Sequence, residues 1–192
     1  MKENQSSIER LAVEGGRPVC AVPLTTALGA AMIGDEEKRA VLDVLESKSL
    51  FRYYGPNLLG KVEQFERELA ASVSRRHALA VSSGTAALRT ALVALDIGRG
   101  DEVLIPAYSF LACPAAVITC GAIPVFVECD ETLLLDPKDL EGRVTEHSRA
   151  IMVVHNNGAA SEMEPILDVA RRRNLRVIEA CAQAPGATYR GP

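Results

Sequence analysis

The sequence lacks the features that several large classes of protein require. Its five cysteines include no Cys-x-x-Cys pair, so no metal site is expected. No apolar run is as long as a membrane span, and the four residues after Met1 are polar, which argues against a membrane helix and a signal peptide. The net charge of −4 mixes both signs, so neither nucleic acid nor a membrane is an expected partner. The odd number of cysteines favours reduced thiols and a cytoplasmic location.

A nicotinamide-binding fingerprint is also missing. No Gly-x-Gly-x-x-Gly follows a predicted strand, and the nearest pattern, Gly98-Arg99-Gly100, precedes one. A nicotinamide-dependent dehydrogenase is therefore disfavoured. What is present is an ordinary globular composition: 192 residues, 48% hydrophobic and 24% charged, enough for one domain with a core.

The chain divides into three predicted parts. Residues 1–33 have no amphipathic period and are interpreted as an N-terminal arm. Residues 34–76 form a helical lead-in. Its first helix begins with three acidic residues, at positions 35–37, and runs to about Ser47. Residues 77–192 form an α/β domain.

Apolar runs alternate with helical segments throughout this third part. Continuous apolar strands separated by helices are typical of a mostly parallel sheet with helices on both faces. The predicted strands are 77–82, 102–106, 123–128, 150–155 and 176–181, and the predicted helices are 85–95, 110–120, 137–143 and 162–174. Ligands of such sheets bind at the carboxyl ends of the strands, where the polar and aromatic residues of this sequence cluster.

Two helix starts carry local signatures. Asp136-Pro137 supplies a capping side chain and a proline in the first turn. Ser161-x-x-Glu164 matches a capping box.

The segment Ser82-Ser83-Gly84-Thr85-Ala86-Ala87-Leu88 joins the first predicted strand to a helix. Free amides at a helix start favour an anion, Gly84 permits a close approach, and the hydroxyls of Ser83 and Thr85 add donors. The alternative is an ordinary strand–turn–helix corner with Thr85 as the N-cap. The segment alone does not decide between them.

Further motifs resemble one family. They are, in order, the segment Ser82–Leu88, Gly100-Asp-Glu-Val-Leu-Ile-Pro-Ala-Tyr-Ser-Phe110, Pro124-Val-Phe-Val-Glu128, Val154-His155 and Val177-Ile-Glu-Ala-Cys-Ala-Gln-Ala-Pro-Gly-Ala187. From about Ile33 onward the chain resembles the N-terminal half of the DegT/DnrJ/StrS family of pyridoxal-phosphate-dependent sugar aminotransferases. The resemblance implies an incomplete fold-type I transferase large domain, without its late strands and small C-terminal domain.

The resemblance also implies roles for individual residues. Gly84 and Thr85 match the pair that holds the cofactor phosphate, Phe110 an aromatic that stacks on the pyridine ring, and Gln183 a side chain that reaches the phenolic oxygen. His155 lies at the same edge of the predicted sheet and is left without a role. The implied cofactor is pyridoxal 5′-phosphate.

The sequence departs from the family in two places. Ala180 stands where the family has the aspartate that pairs with the pyridine nitrogen, and the adjacent Glu179 would face the other side of the sheet. The family's Schiff-base lysine lies beyond Pro192, and the five lysines present all lie at or before Lys138. The first strand is also expected to lack its family partner, a late antiparallel strand.

The implied function is transfer of an amino group from an amino acid to a keto sugar, either a nucleotide sugar or a sugar acid. The complete enzyme is expected to be a homodimer, and this chain alone is expected to be inactive. The alternative is a degenerate homologue or partner subunit that binds the cofactor, or a complete aminotransferase chain, without catalysing the reaction.

Overall fold

The computed structural model describes residues 11–18 and 28–191. Much of the predicted N-terminal arm, residues 1–10 and 19–27, lies outside the described residues. The chain contains two compact units, residues 1–61 and 62–192. The helices are α1 (Leu28–Ala31), α2 (Asp35–Ser47), α3 (Lys61–Ser72), α4 (Gly84–Ala94), α5 (Ala112–Thr119), α6 (Pro137–Arg143) and α7 (Met163–Arg173), with a 3-10 turn at Ala12–Glu14. The strands are β1 (Glu102–Pro106), β2 (Ile123–Val127), β3 (Ser148–Val154) and β4 (Arg176–Ala180).

In the first unit, α2 begins as its acidic first turn predicts. The backbone N–H of Gly34 donates to the Glu37 carboxylate at 2.7 Å, and this bond lowers the pKa of Glu37. An acidic first turn also suits the positive end of the helix dipole. After α2 the chain forms an irregular loop, in which the ring of Phe51 lies 4.5 Å from that of Tyr54, centroid to centroid.

The second unit contains a four-stranded sheet in the order β2-β1-β3-β4, with every pairing parallel. Leu104 of β1 is paired with Val125 on one side and Ile151 on the other. The predicted parallel α/β architecture is confirmed. Each strand end also lies close to its predicted position.

Helices cover both faces of this sheet. Val103 and Ile105 of β1 pack in one core cluster with residues of α4 and α5, whereas Leu104 packs in the other cluster with residues of α6 and α7. Neighbouring residues of a strand point to opposite faces, so a strand buried on both faces must be apolar throughout. This explains the uninterrupted apolar runs in the sequence.

The predicted strand at 77–82 is wrong. In the described part of the chain this segment pairs with no strand, and Leu79 is 61% exposed rather than buried. Its Ala80 N–H donates instead to the carboxylate of Glu66 on α3, at 2.7 Å. An apolar run becomes a strand only beside a partner that satisfies its backbone groups, and none lies beside this one.

One of the two capping predictions is also wrong. Asp136 caps α6 as predicted, accepting the Lys138 N–H at 2.8 Å. Ser161 does not cap α7, because the N-cap position is Glu162 and no side chain bonds there. The Ser161 hydroxyl is fully buried and donates to the Val154 carbonyl at 3.4 Å, so a tertiary contact replaces the local one.

Candidate functional site

The loops that follow β1, β3 and β4 leave the sheet at one edge, because the strands are parallel. They are 107–111 after β1, 155–162 after β3 and 181–187 after β4. Hydrogen bonds join them. Asn156 donates to the Tyr108 carbonyl at 3.3 Å, and the Asn157 N–H donates to Gln183 at 3.1 Å. This edge contains two of the four predicted cofactor-binding residues, and α4 begins with the other two.

The start of α4 leaves two donors available. Ser83 is the N-cap, and its Oγ accepts the Ala86 N–H at 3.1 Å, so the alternative that placed the N-cap at Thr85 is wrong by two residues. The amides of Gly84 and Thr85 have no hydrogen-bond partner among the residues that the structure describes. Both residues are exposed, and a Cβ built on Gly84 would meet nothing within 4 Å. Two free amides on the positive end of an eleven-residue helix suit a phosphate.

Gln183 lies on the surface after β4, and a hydrogen bond fixes the orientation of its side-chain amide. Its Oε1 accepts the Asn157 N–H, and its backbone carbonyl accepts the Gly158 N–H at 3.0 Å. Because the Asn157 N–H requires an acceptor, the oxygen faces that residue and the Nε2 donors point elsewhere. A donor in this position suits a phenolate oxygen, which is the partner that the resemblance implies.

Phe110 comes directly before Leu111, the N-cap of α5, and is 71% exposed. Its carbonyl accepts the Cys113 N–H at 2.9 Å, which fixes the backbone at the start of the helix. No ring contact to Phe110 occurs within residues 11–18 and 28–191. One aromatic face is therefore available for a flat ligand.

His155 is buried and belongs to a hydrogen-bond chain that the sequence did not predict. Its Nδ1 accepts the Ser161 N–H at 3.1 Å, and its Nε2 lies 3.1 Å from Glu179 Oε2. Because Nδ1 is an acceptor here, the ring proton is on Nε2 and is donated to the carboxylate. This hydrogen bond is the main cause that holds the pKa of Glu179 below its usual value, and the charge of Arg75 adds to the effect.

Ala180 and Glu179 lie on opposite faces of β4. Ala180 is half-buried and packs on the cluster of α4 and α5, whereas Val177, two residues before Glu179, packs on the other cluster. The Glu179 carboxylate is also hydrogen-bonded to His155. Glu179 therefore does not replace the aspartate that the resemblance implies at position 180.

Asn156 is the site residue that sequence reasoning missed. It is only 2% exposed, and its Nδ2 lies 3.3 Å from the Tyr108 carbonyl and 3.5 Å from the Leu133 carbonyl. Asn156-Asn157-Gly158 has the composition of an ordinary turn, so nothing in the local pattern indicates that the first amide is buried.

The residues present fit part of pyridoxal phosphate. Gly84 and Thr85 offer donors to the phosphate, Phe110 a face to the ring and Gln183 a donor to the phenolic oxygen. No lysine follows Lys138 in the sequence, and position 180 has no carboxylate. Within the described ranges, no helix is long and apolar enough to cross a membrane, and no group of three His, Cys, Asp or Glu could hold a metal.

Known proteins are similar to this chain in sequence and in fold. GDP-perosamine synthase of Caulobacter vibrioides is 48% identical over 131 residues, which are 68% of this chain and 35% of that protein. L-glutamine:2-deoxy-scyllo-inosose aminotransferase of Streptomyces lividus is 39% identical over 190 residues, 95% of this chain and 43% of that one. The crystal structure of NtdA from Bacillus subtilis with bound cofactor PMP superposes with a TM-score of 0.75 at 34% identity, covering 90% of this chain and 39% of that one.

The fold is that of the fold-type I pyridoxal-phosphate aminotransferases. Residues 31–192 match the DegT/DnrJ/EryC1/StrS aminotransferase family over most of the chain. The protein belongs to that family, and the resemblance predicted from the motifs is confirmed. The chain spans about two fifths of the length of the curated relatives it matches. The family's cofactor is pyridoxal phosphate, as the motifs implied.

Proposed function

We propose that this chain supplies the cofactor-binding part of a pyridoxal-phosphate-dependent aminotransferase that acts on a keto sugar. The amino group would come from an amino acid, and the acceptor would be a nucleotide sugar or a sugar acid. Two relatives support this proposal by their names, since one is a synthase of a GDP-linked sugar and the other an aminotransferase that uses L-glutamine.

The observation that carries the proposal is the pair of free amides at Gly84 and Thr85. A structural helix start commonly leaves such amides to water, but here they adjoin an open glycine and an exposed threonine hydroxyl. Together they offer two amide donors and one hydroxyl to a phosphate. Pyridoxal phosphate, when bound, supplies the electron-accepting ring that transamination needs.

The other predicted site residues act on the ring. Phe110 would lie against its face and exclude water from it. Gln183 would donate from Nε2 to the phenolic oxygen while its Oε1 remains bonded to the Asn157 N–H. These contacts orient the ring and contribute no general base.

The composition of the site limits the chemistry that the 192 residues can carry out alone. The site has no lysine to form the covalent link and to move the proton, and Ala180 supplies no charge to the ring nitrogen. We therefore expect the isolated chain to bind the cofactor without transaminase turnover. In the complete enzyme we expect two copies to pair. The free thiols of Cys113, Cys120, Cys129 and Cys181 support a cytoplasmic location.

A non-catalytic homologue is the second candidate function, and Ala180 is the observation that favours it. The two candidates differ when the lysine-bearing half of a family member is added to this chain. Turnover with an amino donor would support the first candidate, and cofactor binding without turnover would support the second.

The test of the binding site compares two threonines of α4. Thr85→Val removes the hydroxyl beside the free amides, whereas Thr90→Val makes the same change at an exposed position further along the helix. Binding of pyridoxine 5′-phosphate, which has no aldehyde to react with surface lysines, is measured by titration. We expect about a fivefold to tenfold loss for Thr85→Val, as for one hydrogen bond, and none for Thr90→Val. Equal affinities for the wild type and both variants would refute a contact between the Thr85 hydroxyl and the phosphate, and absence of binding by the wild type would refute the phosphate site.

A further inference from the structure

The turn Asn156-Asn157-Gly158 after β3, called the β3 turn below, contacts the loop of Phe110 and also Gln183. The side chain of Asn156 bonds to the loop that carries Phe110, and the backbone amides of Asn157 and Gly158 bond to Gln183. It contacts neither Gly84 nor Thr85 by any hydrogen bond among the described residues.

Asn156 is held in one orientation by its surroundings. Its side chain is buried at 2% exposure, and two backbone carbonyls, those of Tyr108 and Leu133, converge on Nδ2 at 3.3 and 3.5 Å. Two acceptors require a donor between them, so only the amide nitrogen fits. The Tyr108 carbonyl lies two residues before Phe110, so this bond restrains the backbone from which the aromatic ring projects.

The backbone of the β3 turn orients Gln183. Asn157 has a φ of 53° and Gly158 a φ of 82°, both in the left-handed region. This conformation directs two successive N–H groups at the side-chain oxygen and the backbone carbonyl of Gln183. The amide of Gln183 is thereby left with its donors free.

We propose that Asn156 is a positioning residue for the ring of the cofactor and not for its phosphate. The proposal rests on the proposed function, since it concerns the same site. Asn156 acts through the Tyr108 carbonyl on the loop of Phe110, and it anchors the turn whose amides orient Gln183. Affinity for the ring should depend on Asn156, and affinity for a phosphate group alone should not.

The test titrates the 192-residue chain with pyridoxine 5′-phosphate and, separately, with inorganic phosphate. Asn156→Ala removes the buried donor and should weaken pyridoxine 5′-phosphate binding about fivefold to tenfold, as for one lost hydrogen bond. Inorganic phosphate should bind equally to the variant and the wild type. Asn156→Asp, which places acceptors against two carbonyls, should weaken pyridoxine 5′-phosphate binding further.

A general loss of stability is controlled by Ile166→Val. Ile166 is fully buried on α7, and this truncation removes one methylene from the core without altering either hydrogen bond. The control should bind both probes as the wild type does. Equal losses for Asn156→Ala and Ile166→Val, or an Asn156→Ala loss shared equally by the two probes, would overturn the proposal.

Hydrogen exchange gives a second readout that needs no ligand. Asn156→Ala should speed exchange of the amides of Ala107 and Tyr108, which donate to the Val127 carbonyl and to Cys129 Sγ, and leave those of α4 unchanged. Unchanged exchange at both amides would also overturn the proposal. A failure of the proposed function is distinguishable, because the wild type would then bind pyridoxine 5′-phosphate no better than inorganic phosphate.

Discussion

Glu179 Oε2 lies 3.1 Å from His155 Nε2, and this bond assigns the carboxylate of Glu179 to one face of the sheet. Ala180, the next residue of β4, packs on the other face. The resemblance implies a carboxylate at position 180, and the adjacent carboxylate of this chain, that of Glu179, lies on the opposite face of β4. The substitution at Ala180 is therefore not compensated by its neighbour.

The bond between these two residues makes stability depend on pH. The pKa of Glu179 is lowered in the folded chain, so its contribution is present above its ordinary value of 4.5 and is lost as the pH falls through the folded pKa. Glu179→Gln, which keeps an acceptor but no charge, should lose less than about 1 kcal/mol at pH 7, because the side chain is half exposed. The difference from the wild type should shrink as the pH falls below 4.5.

Urea unfolding at several pH values measures this difference. Glu131→Gln is the control, because Glu131 is exposed and has no ion pair in the part of the chain that the structure describes. A difference between Glu179→Gln and the wild type that is constant from pH 7 to pH 3 would contradict the linkage.

Gly84 offers a test in which stability and binding change in opposite directions. Its φ lies outside the left-handed region, and an added Cβ meets nothing within 4 Å. Gly84→Ala should therefore stabilise the free chain by up to about 1 kcal/mol through the unfolded state. The new methyl group would lie where a phosphate approaches, so phosphate affinity should fall by roughly tenfold. Thermal unfolding and phosphate titration of the same variant check both effects, and unchanged phosphate affinity would mean that no anion approaches this glycine.

Gln183 should act as a donor to the ligand and as an acceptor within the protein. Gln183→Glu keeps an oxygen for the Asn157 N–H but has no Nε2 donor. We expect pyridoxine 5′-phosphate binding to weaken by roughly tenfold, as for one bond to a charged oxygen, with inorganic phosphate affinity unchanged. Calorimetric titration with both ligands distinguishes the two contacts. If Gln183→Glu bound the full ligand as tightly as the wild type, the amide would have no role at the ring.

Restoring the family's carboxylate should destabilise the free chain. Ala180 is half-buried against the cluster of α4 and α5, so Ala180→Asp would place a carboxylate beside apolar side chains at a cost of about 1–3 kcal/mol. Pyridoxine 5′-phosphate should stabilise this variant more than the wild type, because the ring nitrogen would pair with the new charge.

The matched control is Ala182→Asp, at an exposed position two residues later, which should change stability by less than about 0.5 kcal/mol. Urea unfolding with and without the ligand gives the comparison. Equal stabilisation of Ala180→Asp and the wild type would show that the ring nitrogen does not face position 180.

Local patterns predicted the elements whose causes are local. α2 and α6 have the predicted bounds, because an acidic first turn and an Asp-Pro cap act within a few residues. The segment 77–82 was predicted as a strand from its apolar run, although its family partner was expected to be absent, and without a partner among the described residues it forms no strand. Ser161 matched the capping pattern, but its hydroxyl donates instead to the Val154 carbonyl.

The same distinction applies to the candidate site. Gly84, Phe110 and Gln183 could be proposed because they lie in motifs that resemble the family, and the resemblance implies a phosphate, a ring and a phenolic oxygen as their partners. Asn156 could not, since its importance comes from two carbonyls that lie 48 and 23 residues away in the chain. His155 was visible as a residue at the sheet edge, but its tautomer depends on Ser161 and Glu179.

The most direct test of the phosphate site is an NMR titration that observes the backbone amides of the 192-residue chain. Pyridoxine 5′-phosphate and inorganic phosphate should both shift the amide signals of Gly84 and Thr85, and pyridoxine without its phosphate should not. Additional shifts at Phe110 and Gln183 should appear with pyridoxine 5′-phosphate alone. Unmoved signals at Gly84 and Thr85, or equal shifts with unphosphorylated pyridoxine, would contradict the account.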